Sequence, residues 1–133
     1  MSVVNILNDS YARIKNGYKL NLDSVLVLKS KKIIRVLDVL YLEGFIRGYN
    51  FDALKPNKIR VLLKYSAEGE GSLRDIKSIS KSGKKVYVSV NSLWNISTKS
   101  NMGCFILSTS KGVISLNDAL KYNVGGELLC YVL

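Results

Sequence analysis

The spacing of the apolar residues changes halfway along the chain, and this change limits the folds that the chain can adopt. Two stretches of the first half repeat apolar residues at the spacing of a helix. The first is marked by Val3, Ile6, Leu7, Tyr11 and Ile14, and the second by Ile33, Ile34, Leu37, Leu40 and Tyr41. The second half contains mainly short apolar runs that are typical of strands. We therefore predict an α/β (α+β) fold, in which an N-terminal α/β unit packs against a mostly antiparallel β unit with a short helix.

The first half has recognisable signals at the ends of its predicted elements. Gly17 stands where a left-handed cap would end the first helix, Ser30 where an N-cap would begin the second, and Gly44 where the second would end. Three strands are predicted, at 24–28, 45–51 and 59–65, so the order is α-β-α-β-β. Residues 66–72 hold two glycines, two acids and no large apolar side chain. This composition predicts a linker after an N-terminal domain at 1–65.

The second half is predicted to form a C-terminal, mostly β domain at 73–133. Its predicted elements are strands at 73–81 and 85–90 joined by a turn near Ser82 and Gly83, a brief helical turn at 91–97, strands at 104–107 and 112–114, a small helix, and a final strand at 128–133. Ser115 and Asp118 resemble a capping pair at the start of the small helix.

The charge of the chain points to a polyanionic partner. The chain carries 20 Lys and Arg against 10 Asp and Glu, which gives a net charge of +10. A basic excess of this size attracts phosphate polymers and makes their binding sensitive to salt. An anionic membrane would also be attracted, but the longest apolar stretch, 33–45, is broken by Arg35, Asp38 and Glu43. We therefore expect a nucleic-acid partner and no membrane.

Residue types needed for catalysis or for metal binding are scarce. The chain has no histidine, and its two cysteines, Cys104 and Cys130, lack the spacing of a metal site. Both cysteines lie in apolar runs, so we expect reduced core thiols and a reducing compartment. No catalytic residue, cofactor, metal or small-molecule substrate is expected. The first 17 residues read as a helix of the fold, so no leader is expected either.

A run of small polar residues at 108–112 is the strongest functional candidate. Ser108, Thr109 and Ser110 are followed by Lys111 and Gly112, directly after an apolar strand. Hydroxyls donate and accept hydrogen bonds, the ammonium supplies a point charge, and glycine lets a backbone approach a ligand closely. This chemistry suits phosphates and ribose hydroxyls. A polar turn between two strands would have the same composition.

Five motifs, in order, carry a resemblance to a known family. They are Arg13-Ile14-Lys15-Asn16-Gly17, Glu43-Gly44-Phe45-Ile46, Leu63-Lys64-Tyr65, the run 108–113, and Gly125-Gly126-Glu127 with Cys130-Tyr131-Val132. With them the chain resembles the bacterial-type small-subunit ribosomal protein S-eight family along its whole length. The resemblance implies a structural protein that binds the central domain of small-subunit ribosomal RNA directly and helps its assembly beside neighbouring ribosomal proteins. In that family the C-terminal half holds an irregular RNA helix, and the N-terminal half adds contacts.

The C-terminal half offers further candidate RNA contacts. Tyr87 matches a family position near the RNA and is expected to stack on a base or ribose, with core packing as the alternative. Lys84 and Lys85 beside it are expected to contact phosphates. In Gly125-Gly126-Glu127, the carboxylate is expected to orient the hydroxyls of the serines or to accept from an exocyclic amine or a 2′-hydroxyl, and the glycines to permit a tight approach. A simple strand-edge carboxylate is the alternative for Glu127.

The N-terminal half offers fewer candidates. Ser30 and Lys31 match a family pair at the start of the second helix, where backbone N–H groups and the helix dipole favour phosphate. The cap role of Ser30 alone would also explain this match. Lys55 is exposed by the turn at 52–58 and is a further candidate RNA contact.

The chain departs from the family at two prolines, which are Leu28 and Ser82 here, so the turn near Ser82 is expected to be looser. The abundance of Lys, Asn, Ile and Tyr is typical of an AT-rich genome. We expect an organelle-encoded protein of a mitochondrial ribosome, with a plastid or a bacterial cytoplasm as alternatives.

Two other functions are alternatives to this prediction. An enzyme with a phosphate cradle at 108–112 is disfavoured, because the run lacks the glycine spacing of a P-loop and no histidine offers a general base. A free regulatory RNA-binding protein, such as a translational repressor, would use the same surface and remains open.

Overall fold

The structure, a computed structural model, describes residues 3–81, 83–99 and 103–133. The first half consists of α1 (Val3–Lys19), β1 (Ser24–Leu28), α2 (Lys31–Leu42), β2 (Ile46–Phe51) and β3 (Lys58–Leu63). The predicted order α-β-α-β-β is therefore confirmed. The three strands form an antiparallel sheet in the order β1-β3-β2.

The end of α1 differs from the prediction. The helix continues two residues past Gly17, and Asn21, with a φ of 56°, is the left-handed residue that follows it. A side chain at Gly17 would overlap Val25 and would lie 3.1 Å from Leu63 Cδ1. Gly17 is therefore needed for close packing of α1 on β1 and β3, and the prediction of a cap there was wrong.

Both predicted ends of α2 are confirmed. Ser30 is the N-cap, and its Oγ accepts a hydrogen bond of 3.1 Å from the Ile33 backbone N–H. Gly44 follows the helix with a φ of 82°, which is the left-handed conformation that glycine favours. The prediction that Tyr41 belongs to the buried face of α2 was wrong, because its side chain is 55% exposed.

Several helices and strands of the second half differ in length from the predicted ones. It consists of β4 (Ile76–Ser78), β5 (Tyr87–Val88), α3 (Val90–Lys99), β6 (Cys104–Thr109), β7 (Gly112–Ser115), α4 (Leu116–Tyr122) and β8 (Gly126–Val132). The strands predicted at 73–81 and 85–90 are shorter, and the brief turn predicted at 91–97 is a ten-residue helix. Ser115 caps α4 as predicted, accepting from the Asp118 backbone N–H. Ser82, where a looser turn was expected, lies outside the described residues.

The second sheet is built around β8. Its strand order is β4-β8-β6-β7, and β5 pairs with β8 beside β4. All these pairs are antiparallel, which confirms the predicted β architecture. Between the pairs Ile106–Cys130 and Leu107–Leu128 the register shifts, and Leu129 is the additional residue. This bulge sets which side chains of β8 face each side of the sheet.

The two faces of this sheet pack against different layers. Ile106, Cys130 and Val132 belong to the larger core, which also contains the buried residues of α1, α2 and the first sheet. Leu107 and Leu128 belong to a smaller core under α3 and α4. The face that carries Ile106 is therefore turned towards the N-terminal half.

Polar contacts also join the two halves. Lys15 in α1 pairs with Asp75 at 2.9 Å, and the Ser78 hydroxyl donates to the Asn8 side chain. The division into domains at 1–65 and 73–133 stays a prediction. No helix within the described ranges is long and apolar enough to span a membrane.

Candidate nucleic-acid interface

The run at 108–112 forms the end of a β-hairpin rather than a loop. Ser108 and Thr109 belong to β6, and Gly112 begins β7 opposite Thr109. Only Ser110 and Lys111 lie at the tip, where both are exposed. The prediction of a loop between two strands was therefore too long by its first two residues.

The Thr109 hydroxyl stabilises the tip. It donates to the Gly112 carbonyl at 2.9 Å and accepts from the Lys111 backbone N–H at 3.1 Å. A hydroxyl has one proton and two lone pairs, so these bonds leave Thr109 one acceptor position for a ligand. Its main role in the structure is to hold the turn.

Gly112 is required by its backbone conformation. Its φ is 103°, and a Cβ built on it would have no neighbour within 4 Å. An L side chain at this φ is strained even where space is free. The glycine therefore permits the turn itself, and a bulkier residue would distort the tip before it could block any ligand.

Three predicted residues lie in one row across the second sheet. Ser108 on β6 is directly opposite Glu127 on β8, and Glu127 is directly opposite Tyr87 on β5. Directly opposed residues project to the same face of a sheet. This polar row therefore lies on the face turned towards the N-terminal half, past the end of the larger core. Tyr87 is 68% exposed, so the alternative of core packing for it is excluded.

Gly125 and Gly126 allow this row to form. A side chain at Gly126 would overlap the backbone carbonyl of Ser108, and one at Gly125 would overlap the backbone carbonyl of Val88. Their neighbours are strands of the protein, so the two glycines permit close pairing of β8 with β6 and β5. The structure shows a close approach between strands, and the close approach to RNA expected for these glycines stays a prediction.

The start of α2 lies beside the polar row. The Lys32 ammonium donates to Ser108 Oγ at 2.8 Å, across 76 positions of sequence. A groove of about 420 Å³ lies between the start of α2 and β8 and is lined by Leu7, Ser30, Lys31, Lys32, Arg35, Lys85, Glu127 and Leu129. Four of these side chains are cationic and one is a carboxylate. The groove therefore brings together Ser30 and Lys31 with Lys85 and Glu127, all predicted separately.

The remaining predicted residues lie at the margins. Lys84 is exposed and exchanges two backbone hydrogen bonds with Lys81, so that its main chain closes the turn before β5. Lys55 is exposed in the turn between β2 and β3. This turn is joined to Lys29, directly before the N-cap of α2, by a hydrogen bond from the Lys29 N–H to the Asn57 carbonyl. Lys55 therefore belongs to the same end of the first sheet as the start of α2.

Two residues of the groove, Lys32 and Arg35, were not predicted as site residues. Lys32 precedes the buried Val36 by four positions, so helical spacing places it at the edge of the buried stripe. Arg35 follows Lys31 by four positions and lies on the exposed side. The helical spacing alone could have indicated these two residues. It could not indicate that Lys32 contacts Ser108 of β6.

Comparison with known proteins agrees with the resemblance seen in the motifs. The family model described as Ribosomal protein S8 matches residues 5–133. A protein of Bartonella tribocorum named small ribosomal subunit protein uS8 is 44% identical, with 99% of each chain covered. Proteins with the same name from Orientia tsutsugamushi and Rhizobium rhizogenes are 39% and 42% identical over the same share of both chains. The chain therefore belongs to the ribosomal protein S8 family.

Proposed function

We propose that this protein is a structural constituent of the small ribosomal subunit that binds small-subunit ribosomal RNA directly. Its relatives are named small ribosomal subunit proteins, and the match covers nearly the whole chain. The net charge of +10 favours a polyanionic partner. The role is structural rather than catalytic.

The observation that carries this proposal is the convergence of the polar row with the cationic groove. Ser108, Glu127 and Tyr87 supply a hydroxyl, an acceptor and an exposed aromatic ring in adjacent strands. Single-stranded or irregular RNA is recognised by such a combination of hydrogen bonds and stacking. Lysines beside the row are placed to neutralise phosphates, and they position the RNA without reading its sequence.

Each candidate residue has a role in this proposal. Lys111 at the exposed tip binds a phosphate, and Ser110 beside it donates to a phosphate or ribose oxygen. Tyr87 stacks on a base or ribose. Glu127 accepts from an exocyclic amine or a 2′-hydroxyl. Lys31, Lys55, Lys84 and Lys85 contact phosphates around this centre.

The RNA segment proposed is the central domain of the small-subunit RNA. The test is the binding of a central-domain fragment across a salt series. Lys111→Ala is expected to lower the slope of log K against log salt by about 1, as for one lost phosphate contact. Ser110→Ala is expected to weaken binding about fivefold with an unchanged slope, because it removes one neutral hydrogen bond.

The matched control is Lys121→Ala, which removes an exposed lysine from α4, on the opposite side of the second sheet. It is expected to bind with nearly the parental slope. Gly112→Val is not informative about contacts, since it strains the turn by itself. Parental binding by both Lys111→Ala and Ser110→Ala would show that the hairpin tip does not contact the RNA.

The compartment proposed is the mitochondrion, on the abundance of Lys, Asn, Ile and Tyr in the chain. Fractionation of the source cells followed by sedimentation tests this. The protein is expected in mitochondrial small subunits. Recovery from plastid or bacterial cytoplasmic ribosomes would exclude mitochondria, and recovery entirely away from small subunits would favour the free regulatory protein.

A further inference from the structure

The contact between Lys32 and Ser108 fixes how the Ser108 hydroxyl is used. An ammonium has only donors, so Ser108 Oγ must accept the 2.8 Å hydrogen bond from Lys32. Within the described part of the chain, this is the one hydrogen bond that the Ser108 side chain makes. Its own proton is therefore free to donate, and the positive charge of Lys32 polarises the O–H group and strengthens that donation.

The position of Lys32 in α2 is electrostatically unfavourable for a cation. It lies in the first turn of α2, directly after Lys31, and this turn contains no acidic residue. The positive end of the helix dipole disfavours cations at such a position. Lys32 is also partly buried. The bond to Ser108 offsets part of these costs.

The same contact joins the two halves of the candidate interface. Lys32 belongs to α2 of the N-terminal half, and Ser108 is the next-to-last residue of β6 in the C-terminal half. Glu127, next to Ser108 in the polar row, lines the groove with Lys32. The bond therefore links the cationic start of α2 directly to the polar row.

We propose that Lys32 is a positioning residue for RNA binding and acts through Ser108. It holds the Ser108 hydroxyl as a hydrogen-bond donor, so the RNA atom opposite Ser108 is an acceptor, a phosphate or ribose oxygen. It also links α2 to β6 at the point where the shared core brings them together, so that one group from each half faces the RNA there. This inference rests on the proposed function.

The test is a double-mutant cycle with Lys32→Met, Ser108→Ala and the double variant, measured as affinity for the central-domain RNA fragment. Each single variant is expected to lose about tenfold in affinity, the cost of one hydrogen bond. The double variant is expected to bind as the weaker single variant does, because both changes remove the same interaction. Lys32→Arg keeps a donor and is expected to recover most of the parental affinity.

The matched control is Lys31→Met, alone and with Ser108→Ala. Lys31 is the neighbouring lysine of the same helical turn and is exposed. Its loss is expected to add to that of Ser108→Ala. Thermal unfolding of every variant identifies a temperature at which all are folded, and binding is compared there, so that a general loss of structure does not imitate coupling.

The outcomes separate this inference from the proposed function. Additive losses for Lys32→Met and Ser108→Ala, or failure of Lys32→Arg to recover affinity, overturn the positioning role while leaving RNA binding intact. Failure of the parental chain to bind the ribosomal RNA fragment overturns the proposed function, and the positioning role falls with it.

Discussion

Glycine at position 126 lets two strands approach at the point where the polar row crosses them. The atom that a Cβ would overlap there is the backbone oxygen of Ser108, which cannot rotate away as a side chain would. A substitution at Gly126 therefore has to move β6 or β8. It would displace Ser108 and Glu127 relative to each other, because Ser108 lies on β6 and Glu127 on β8.

We predict that Gly126→Ala lowers the free energy of unfolding by about 1–3 kcal/mol, the usual cost of overpacking, and also weakens RNA binding. Denaturant unfolding and RNA titration measure the two effects. Gly69→Ala is the control, because its Cβ would meet no atom within 4 Å and only its φ of 85° opposes a side chain. It is expected to cost about 1 kcal/mol and to leave RNA binding unchanged. If Gly126→Ala is as stable as the parent, the close approach of Gly126 to the Ser108 backbone is refuted.

The two thiols are expected to be unreactive in the folded protein. Both are free, and burial raises the pKa of Cys130 to about 12. Since the thiolate is the reactive form, alkylation of Cys130 at pH 8 is expected only after unfolding. The measurement uses the Cys104→Ser variant, in which Cys130 is the remaining thiol and all labelling is at Cys130. Labelling of the native variant at the rate of an unfolded thiol would contradict the expectation.

The raised pKa of Cys130 also predicts how stability changes in alkali. The folded state holds the thiol proton more tightly than the unfolded state, whose thiol has a pKa near 9.0. The contribution of the Cys130 thiol to the free energy of unfolding is therefore complete below about pH 9 and is lost as the pH rises towards 12. Denaturant unfolding over this range, compared with Cys130→Ala, measures the difference.

At the scale of elements, the start of α2 combines a structural and a functional role in Ser30. Its hydroxyl accepts from the Ile33 N–H, so the cap role is real. The side chain also lines the groove beside Lys31 and Lys32. Aspartate caps helices as well as serine does, but its charge repels phosphate. This difference allows the two roles to be separated.

We predict that Ser30→Ala lowers the free energy of unfolding by about 1 kcal/mol, because the cap is lost. Ser30→Asp is expected to retain stability but to weaken binding of the RNA fragment most strongly at low salt, since charge repulsion is screened by salt. Denaturant unfolding and binding titrations test both. If Ser30→Asp binds RNA as tightly as the parent at low salt, Ser30 serves only as a cap.

Helices and strands were predicted most reliably where local chemistry defines them. The N-caps Ser30 and Ser115 and the cap after α2 at Gly44 were correct, because a cap depends on a few adjacent residues. Gly17 was misread, since the same residue type is required for close packing and for left-handed turns. Local sequence does not distinguish these two requirements, whereas the contact with Val25 does.

At the scale of the whole molecule, the larger core crosses the predicted boundary between domains. Residues of α1, such as Leu7 and Ile14, share it with Ile106 and Val132 of the second sheet. The Lys15–Asp75 pair and the Asn8–Ser78 bond add polar contacts across the same boundary. Neither half buries this surface without the other.

We predict that the two halves unfold as one cooperative unit, since exposing the shared core would destabilise either half alone. Hydrogen exchange under native conditions measures this for each strand. The slowest amides of β3 and of β8 are expected to open with the same free energy. A clearly higher value in one half would show that this half is stable by itself, as a two-domain description requires.

The sequence alone determined the class of the fold, the order of its elements, the basic character of the chain and the residue types of the site. These properties are local or additive: apolar spacing, capping residues and charge do not require knowledge of distant neighbours. The family resemblance came from the same short motifs, and the comparisons confirmed it.

Tertiary structure decided which of these residues meet. Ser108, Glu127 and Tyr87 form a row only because β8 pairs with β6 on one side and with β5 on the other. Lys32 reaches Ser108 only because the shared core holds α2 against the second sheet. Strand register and helix packing join residues far apart in the chain and depend on the bulge at Leu129 and on core shape, for which short sequence patterns carry no signal.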